Sequence, residues 1–173
     1  MKKLFQLKAL PVAAVMLFIS LCASAQENKP LASPADSVSG KVGKANITIK
    51  YGSPSVRERK IWGSLVPFGQ VWRAGANKAT TFTTDKAIKV EGKSLPAGTY
   101  SFFTIPTEGE WTIIFNKTAD QWGAYKYDEK EDALRVKVKP VKAPAMSERL
   151  TYALNSDGIT LNWENVTVPV KIK

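Results

Sequence analysis

Two irregular stretches hold the side chains whose types and spacing could do chemistry. The first carries Trp72, Arg73, Asn77 and Lys78 around Gly75; the second carries Trp122 and Tyr125 around Gly123. Arg73 offers a planar fork of five donors that suits a carboxylate, a phosphate or paired hydroxyls. Asn77 adds an amide, Lys78 a charge, and the rings of Trp72, Trp122 and Tyr125 offer faces for an apolar surface such as that of a sugar. We take these six as the candidate binding residues for a glycan or a small anionic ligand. The competing reading is structural: an arginine tying loop carbonyls, because buried backbone groups need partners.

What is missing narrows the chemistry further. The chain has no His, and its one Cys, Cys22, falls in the leader. Ser-His-Asp and Cys-His catalysis need a base that such a chain lacks. Zinc and copper sites normally use His or Cys. No glycine-rich phosphate loop opens a helix, so no cofactor and no metal site is expected. Paired carboxylates for glycoside hydrolysis stay open, but Asp85, Glu91, Glu110, Asp120 and Glu164 all fall at turns or strand ends and outside the first stretch. The acidic run from Asp128 to Asp132 is interrupted by Lys130 and reads as a surface turn, not a calcium loop.

The formal charge is +10, and Lys2, Lys3 and Lys8 of the leader contribute to it. The remaining lysines are scattered along strands. They read as a solvated positive surface, and no nucleic-acid partner is expected.

The elements that must position these residues begin after an export signal. Lys2, Lys3 and Lys8 precede an apolar run over residues 9–21, and Ala23-Ser24-Ala25 supplies small residues for cleavage before Gln26. The run is shorter than the roughly 20 residues of a membrane span. Leu21 before Cys22 does not suit lipid attachment, so a product with no anchor is expected. Residues 1–25 thus read as signal peptide, 26–36 as a flexible lead-in with two prolines, and 37–173 as a single β-rich domain. Its location is expected to be periplasmic or extracellular, with no transmembrane segment once the signal is removed.

Within the domain, polar and apolar residues alternate with the period of a strand. Ile47, Ile49 and Tyr51 share one face, as do Leu134, Val136 and Val138, and Leu150, Tyr152 and Leu154. Residues 99–105 are apolar on both faces, Tyr100 and Phe102 opposing Phe103 and Ile105, as in a central strand covered on both sides. Asn155-Ser156-Asp157-Gly158 predicts a hairpin turn that pairs residues 150–154 with 159–163. Trp111 and Trp163 fall on alternating core positions, which leaves Trp62, Trp72 and Trp122 as the tryptophans in irregular segments. No segment keeps helical periodicity. Many short strands with Gly and Pro turns predict an all-β fold, an antiparallel β-sandwich of about nine strands, with a partly closed barrel as the alternative.

The joint pattern resembles a family. Pro67-Phe68-Gly69-Gln70-Val71-Trp72-Arg73-Ala74-Gly75-Ala76-Asn77-Lys78-Ala79-Thr80 is similar to the signature of the secreted bacterial domain of unknown function 2911. So are Leu95-Pro96-Ala97-Gly98-Thr99-Tyr100, Trp111-Thr112-Ile113-Ile114-Phe115-Asn116-Lys117 and Gln121-Trp122-Gly123 with Tyr125. The resemblance runs from about Ser33 to Ile172. It implies an exported β-rich domain and transfers no catalytic residue. The functional expectation is an exported, non-catalytic binding or envelope-associated module; the alternative is a glycan-active hydrolase using paired carboxylates.

Overall fold

The computed structural model describes residues 32–173. The expected signal sequence, Cys22 and most of the expected lead-in lie outside the described residues. Ten strands form among those described: β1 (Ala35–Val42), β2 (Ala45–Gly52), β3 (Thr80–Thr84), β4 (Ile88–Val90), β5 (Lys93–Leu95), β6 (Gly98–Ile105), β7 (Trp111–Asn116), β8 (Asp132–Val138), β9 (Val141–Asn155) and β10 (Gly158–Lys171). A 3-10 turn, Glu129–Glu131, precedes β8. No described helix is long and apolar enough to cross a membrane.

The main sheet is antiparallel, in the order β1-β2-β3-β6-β7-β8, and its edges stay open. The long β9–β10 hairpin covers one face, giving the sandwich expected from the alternating strands. Its turn is Ser156-Asp157, and Leu154 pairs with Ile159, and Tyr152 with Leu161, as the Asp-Gly signal predicts. The strands after this turn are longer than the sequence suggested. Residues 159–163 and 166–171 run on as one strand because irregularities around Glu164, which has a left-handed φ of 53°, absorb the break without ending it. Likewise β4 and β5 form a small hairpin whose turn, Glu91-Gly92, has positive φ at both residues.

Alternation decides what each face buries. Ile47, Ile49, Phe82, Phe102, Ile113, Phe115 and Val136 point inward to meet Leu150, Tyr152, Leu161 and Trp163 of the hairpin. The outer face has two halves. Over β6 and β7, Phe103 and Ile114 are fully buried beneath Val71, Ala79, Ala124 and Tyr127. This second small core is why residues 99–105 are apolar on both sides. Over β1, β2 and β3 the outer face is bare and polar.

Candidate functional site

The first irregular stretch enters the fold as a strand-like segment beside β6. Trp72 and Thr104 exchange both backbone hydrogen bonds, at 2.7 and 2.9 Å. Alternation then sends Val71 to the outer core and Trp72 to the inner one. There Trp72 stacks on Trp163 at 5.8 Å and meets Trp62 edge-on at 5.7 Å, while Trp62 also contacts Trp111.

The chain next turns sharply. Ala74 is fully buried with a left-handed φ of 52°, a conformation that costs a non-glycine residue energy and needs support. Its carbonyl oxygen accepts from the Thr80 hydroxyl at 2.9 Å and from the Tyr152 hydroxyl at 2.7 Å. The Ala76 N–H donates to the Gly52 carbonyl at 3.2 Å, and a Cβ on Gly52 would overlap the Ala76 carbonyl. Glycine is needed at position 52 for this approach. Asn77, left-handed at φ 64°, donates its side-chain amide to Ser33 O at 3.1 Å. The turn therefore delivers Asn77 and Lys78 to the surface from a fixed base.

The second irregular stretch pairs with its exit. Lys78 bridges Trp122, Ala79 N–H donates to Gln121 O, and Gly123 N–H donates to Asn77 O. Buried Gln121 donates to Thr118 O at 2.8 Å, and the Ser101 hydroxyl donates to the same carbonyl at 2.6 Å. Farther along, Tyr127 donates its hydroxyl to Asp132 at 2.6 Å and accepts from Arg135 at 2.6 Å. Burial, reinforced by Asp132 and opposed by Arg135, pushes the Tyr127 phenol up to about 12. Trp122 and Tyr125 stand out from this anchored loop, 61% and 83% exposed.

Two hollows flank the junction. The larger, about 740 Å³, opens between the junction and the bare sheet face; Lys50, Asn77, Lys78, Thr81, Thr99 and Asp120 line it. The smaller, about 370 Å³, lies under Trp122, Tyr125 and Lys126 and shares Asp120. Lys78 pairs with Asp120 at 2.9 Å between the two. Of the six sequence candidates, Asn77 and Lys78 line the first hollow and Trp122 and Tyr125 the second; Trp72 and Arg73 line neither. Among the described residues the Arg73 side chain makes no hydrogen bond and no ion pair, and its Nε is buried.

Lys50, Thr81 and Thr99 were not candidates in the sequence. Their one signal was position, since they alternate with core residues and so face outward. Two carboxylates reach the larger hollow, Asp36 and Asp120. Asp36 accepts from the Tyr51 hydroxyl at 3.0 Å and from Ser37 N–H at 2.7 Å. Both are exposed. Among the described residues no group of three or more acidic, His or Cys side chains could hold a metal ion.

The pairing of the Trp72–Lys78 turn with the Gln121–Gly123 segment is the spatial counterpart of the sequence signature. A family described as a protein of unknown function, DUF2911, matches residues 33–172. The chain belongs to the DUF2911 family. No curated protein and no solved structure matches it. In this DUF2911 chain the signature residues divide by role in the fold. Trp72, Ala74 and Gly75 build the base of the turn, and Asn77 and Lys78 are what the turn presents.

Proposed function

We propose that this DUF2911 protein is an exported, non-catalytic binding module that takes a glycan or small anionic ligand where the two irregular segments meet. One observation carries the reading: Asn77 and Lys78 are held at the rim of a groove, across a paired junction from the exposed rings of Trp122 and Tyr125. Backbone anchoring of both segments pre-organises the rim, which lowers the ordering cost of binding. The charged leader, apolar run and Ala23-Ser24-Ala25 support export to the periplasm or beyond.

The test is calorimetric titration of the mature protein with a panel of oligosaccharides and small organic anions. At least one class is expected to bind, and Lys78→Ala and Trp122→Ala are each expected to weaken it about tenfold with an unchanged melting temperature. Binding that survives both substitutions, or no binding across the panel, removes this site assignment. Turnover of a bound glycan would replace it with the hydrolase reading.

A further inference from the structure

The bare half of the outer sheet face is paved with hydroxyls in lateral register. Ser39 pairs with Thr48, Thr48 with Thr83 and Thr83 with Thr99, so one row crosses β1, β2, β3 and β6. Within it the Ser39 hydroxyl donates to Thr48 at 2.9 Å, and the Thr83 and Thr99 hydroxyls share a hydrogen bond at 3.0 Å. The next row is Ser37, Lys50, Thr81 and Ser101. It ends where Ser101 bonds the carbonyls of Thr118 and Ala119, at the foot of the loop that walls the groove. Lys50 is the one charged residue in the two rows. The groove and the smaller hollow meet at Asp120, so this face, the rim and the exposed rings form one continuous surface.

We propose that this surface is an extended subsite for a linear, neutral polysaccharide, which runs along the hydroxyl rows and reaches the rings of Trp122 and Tyr125. The proposal rests on the binding reading above and names its ligand class. Three features point there. Each Ser or Thr hydroxyl both donates and accepts, so the rows suit a partner whose own groups do the same, as sugar hydroxyls do. Charges lining the groove balance, with Lys50 and Lys78 against Asp36 and Asp120, and the smaller hollow adds only Lys126, which gives a phosphate or carboxylate little advantage despite the basic chain. Strands repeat every ~4.8 Å across the sheet, so the rows offer a regular series of contacts to a repeating chain, and the two exposed rings can cover the apolar face of one sugar unit.

The experiment uses the mature protein and two pairs of soluble probes: the disaccharide and hexasaccharide of β-1,4-linked glucose, and those of β-1,4-linked N-acetylglucosamine. Calorimetric affinities are measured for wild type, Thr81→Val with Thr99→Val, Thr48→Val with Thr83→Val, and Trp122→Ala. Valine keeps the shape and strand preference of threonine and removes only the hydroxyl, and an unchanged melting temperature checks the fold. A hexasaccharide is expected to bind at least about tenfold tighter than its disaccharide. Both double variants should lose that advantage, and Thr81→Ser with Thr99→Ser should keep it. Equal affinity for short and long probes, or valine variants that hold the hexasaccharide as wild type does, overturns the extended subsite. In that case, sensitivity to Trp122→Ala would leave the binding site at the junction standing. Failure of both hexasaccharides to bind also overturns the proposal; a small organic anion that then binds through Lys78 keeps the junction reading alone.

Discussion

The hydroxyl of Tyr152, on the covering hairpin, donates to the carbonyl oxygen of Ala74, in the signature turn, across 2.7 Å. This bond joins the two layers of the sandwich at a buried, left-handed alanine. Its phenol lies well above its ordinary range because burial penalises the charged form. Tyr152→Phe is expected to cost about 1 kcal/mol. The loss stays modest because Thr80 still donates to the same oxygen. Adding Thr80→Val strands that carbonyl, and the double variant should lose more than the sum of the singles. Urea unfolding of the four proteins measures the coupling.

The contact between Gly52 and Ala76 leaves no room for a side chain. Gly52→Ala must push the turn away from the end of β2, and overpacking of this kind costs about 3 kcal/mol. The displaced segment carries Asn77 and Lys78, so ligand affinity should fall together with stability. A variant that melts like wild type would show that the turn yields without strain.

Alkaline pH should unfold this protein through its tyrosines. Folding raises the phenol pKa of Tyr127 to about 12, and it raises those of Tyr51, Tyr100 and Tyr152, chiefly by burial. The unfolded chain releases these protons near pH 10, before the folded chain does. Stability is therefore complete below pH 10 and falls as pH rises from there, through about 12 for Tyr127, with Tyr152 contributing in the same direction. Urea midpoints taken across this window should decline, and Tyr127→Phe should flatten the first part. A midpoint that stays level above pH 10 would contradict the assignment.

The sequence made some of this plain and hid the rest for physical reasons. Phe103 and Ile105 opposing Tyr100 and Phe102 announced a strand covered on both sides, because alternation reports burial directly. Asp157-Gly158 announced the hairpin, although the glycine also serves a long-range need: a Cβ there would overlap the Val170 carbonyl. The packing of Trp62 and Trp72 against Trp111 and Trp163 was not legible, since both lie in segments without periodicity and their partners are distant in the chain. Nor did anything local mark Lys50, Thr81 and Thr99. Each is an ordinary outward residue on an ordinary strand. It borders a groove only because the Asn77–Ala79 and Gln121–Gly123 segments pair with each other above that face.

Thr104 offers a test with the opposite sign. Among the described residues its hydroxyl is buried without a partner, beside the tryptophan cluster whose Trp62 and Trp163 indole nitrogens likewise have none. Desolvating a hydroxyl without compensation costs about 1–3 kcal/mol on the scale of mutational data. Thr104→Val keeps the shape, so it should leave stability unchanged or raise it. A clear fall in melting temperature would mean that the hydroxyl is engaged in solution.

The last test separates two tryptophans that the sequence could not tell apart. Trp72 stacks on Trp163 and meets Trp62, with its backbone fixed to Thr104, so its partly buried ring packs against the inner core. Truncation leaves a cavity that fixed neighbours cannot fill, and Trp72→Ala should cost about 3 kcal/mol. Trp122 is 61% exposed on an anchored loop. The backbone bonds of its neighbours, Gln121 O and Gly123 N, do not depend on its side chain. Trp122→Ala should therefore shift stability by no more than about 0.5 kcal/mol while weakening ligand binding. The two variants, melted and titrated side by side, should give opposite patterns: stability lost at Trp72, affinity lost at Trp122. A Trp122 variant that melts as early as the Trp72 variant would make that ring part of the scaffold, and the case for a stacking platform would fall with it.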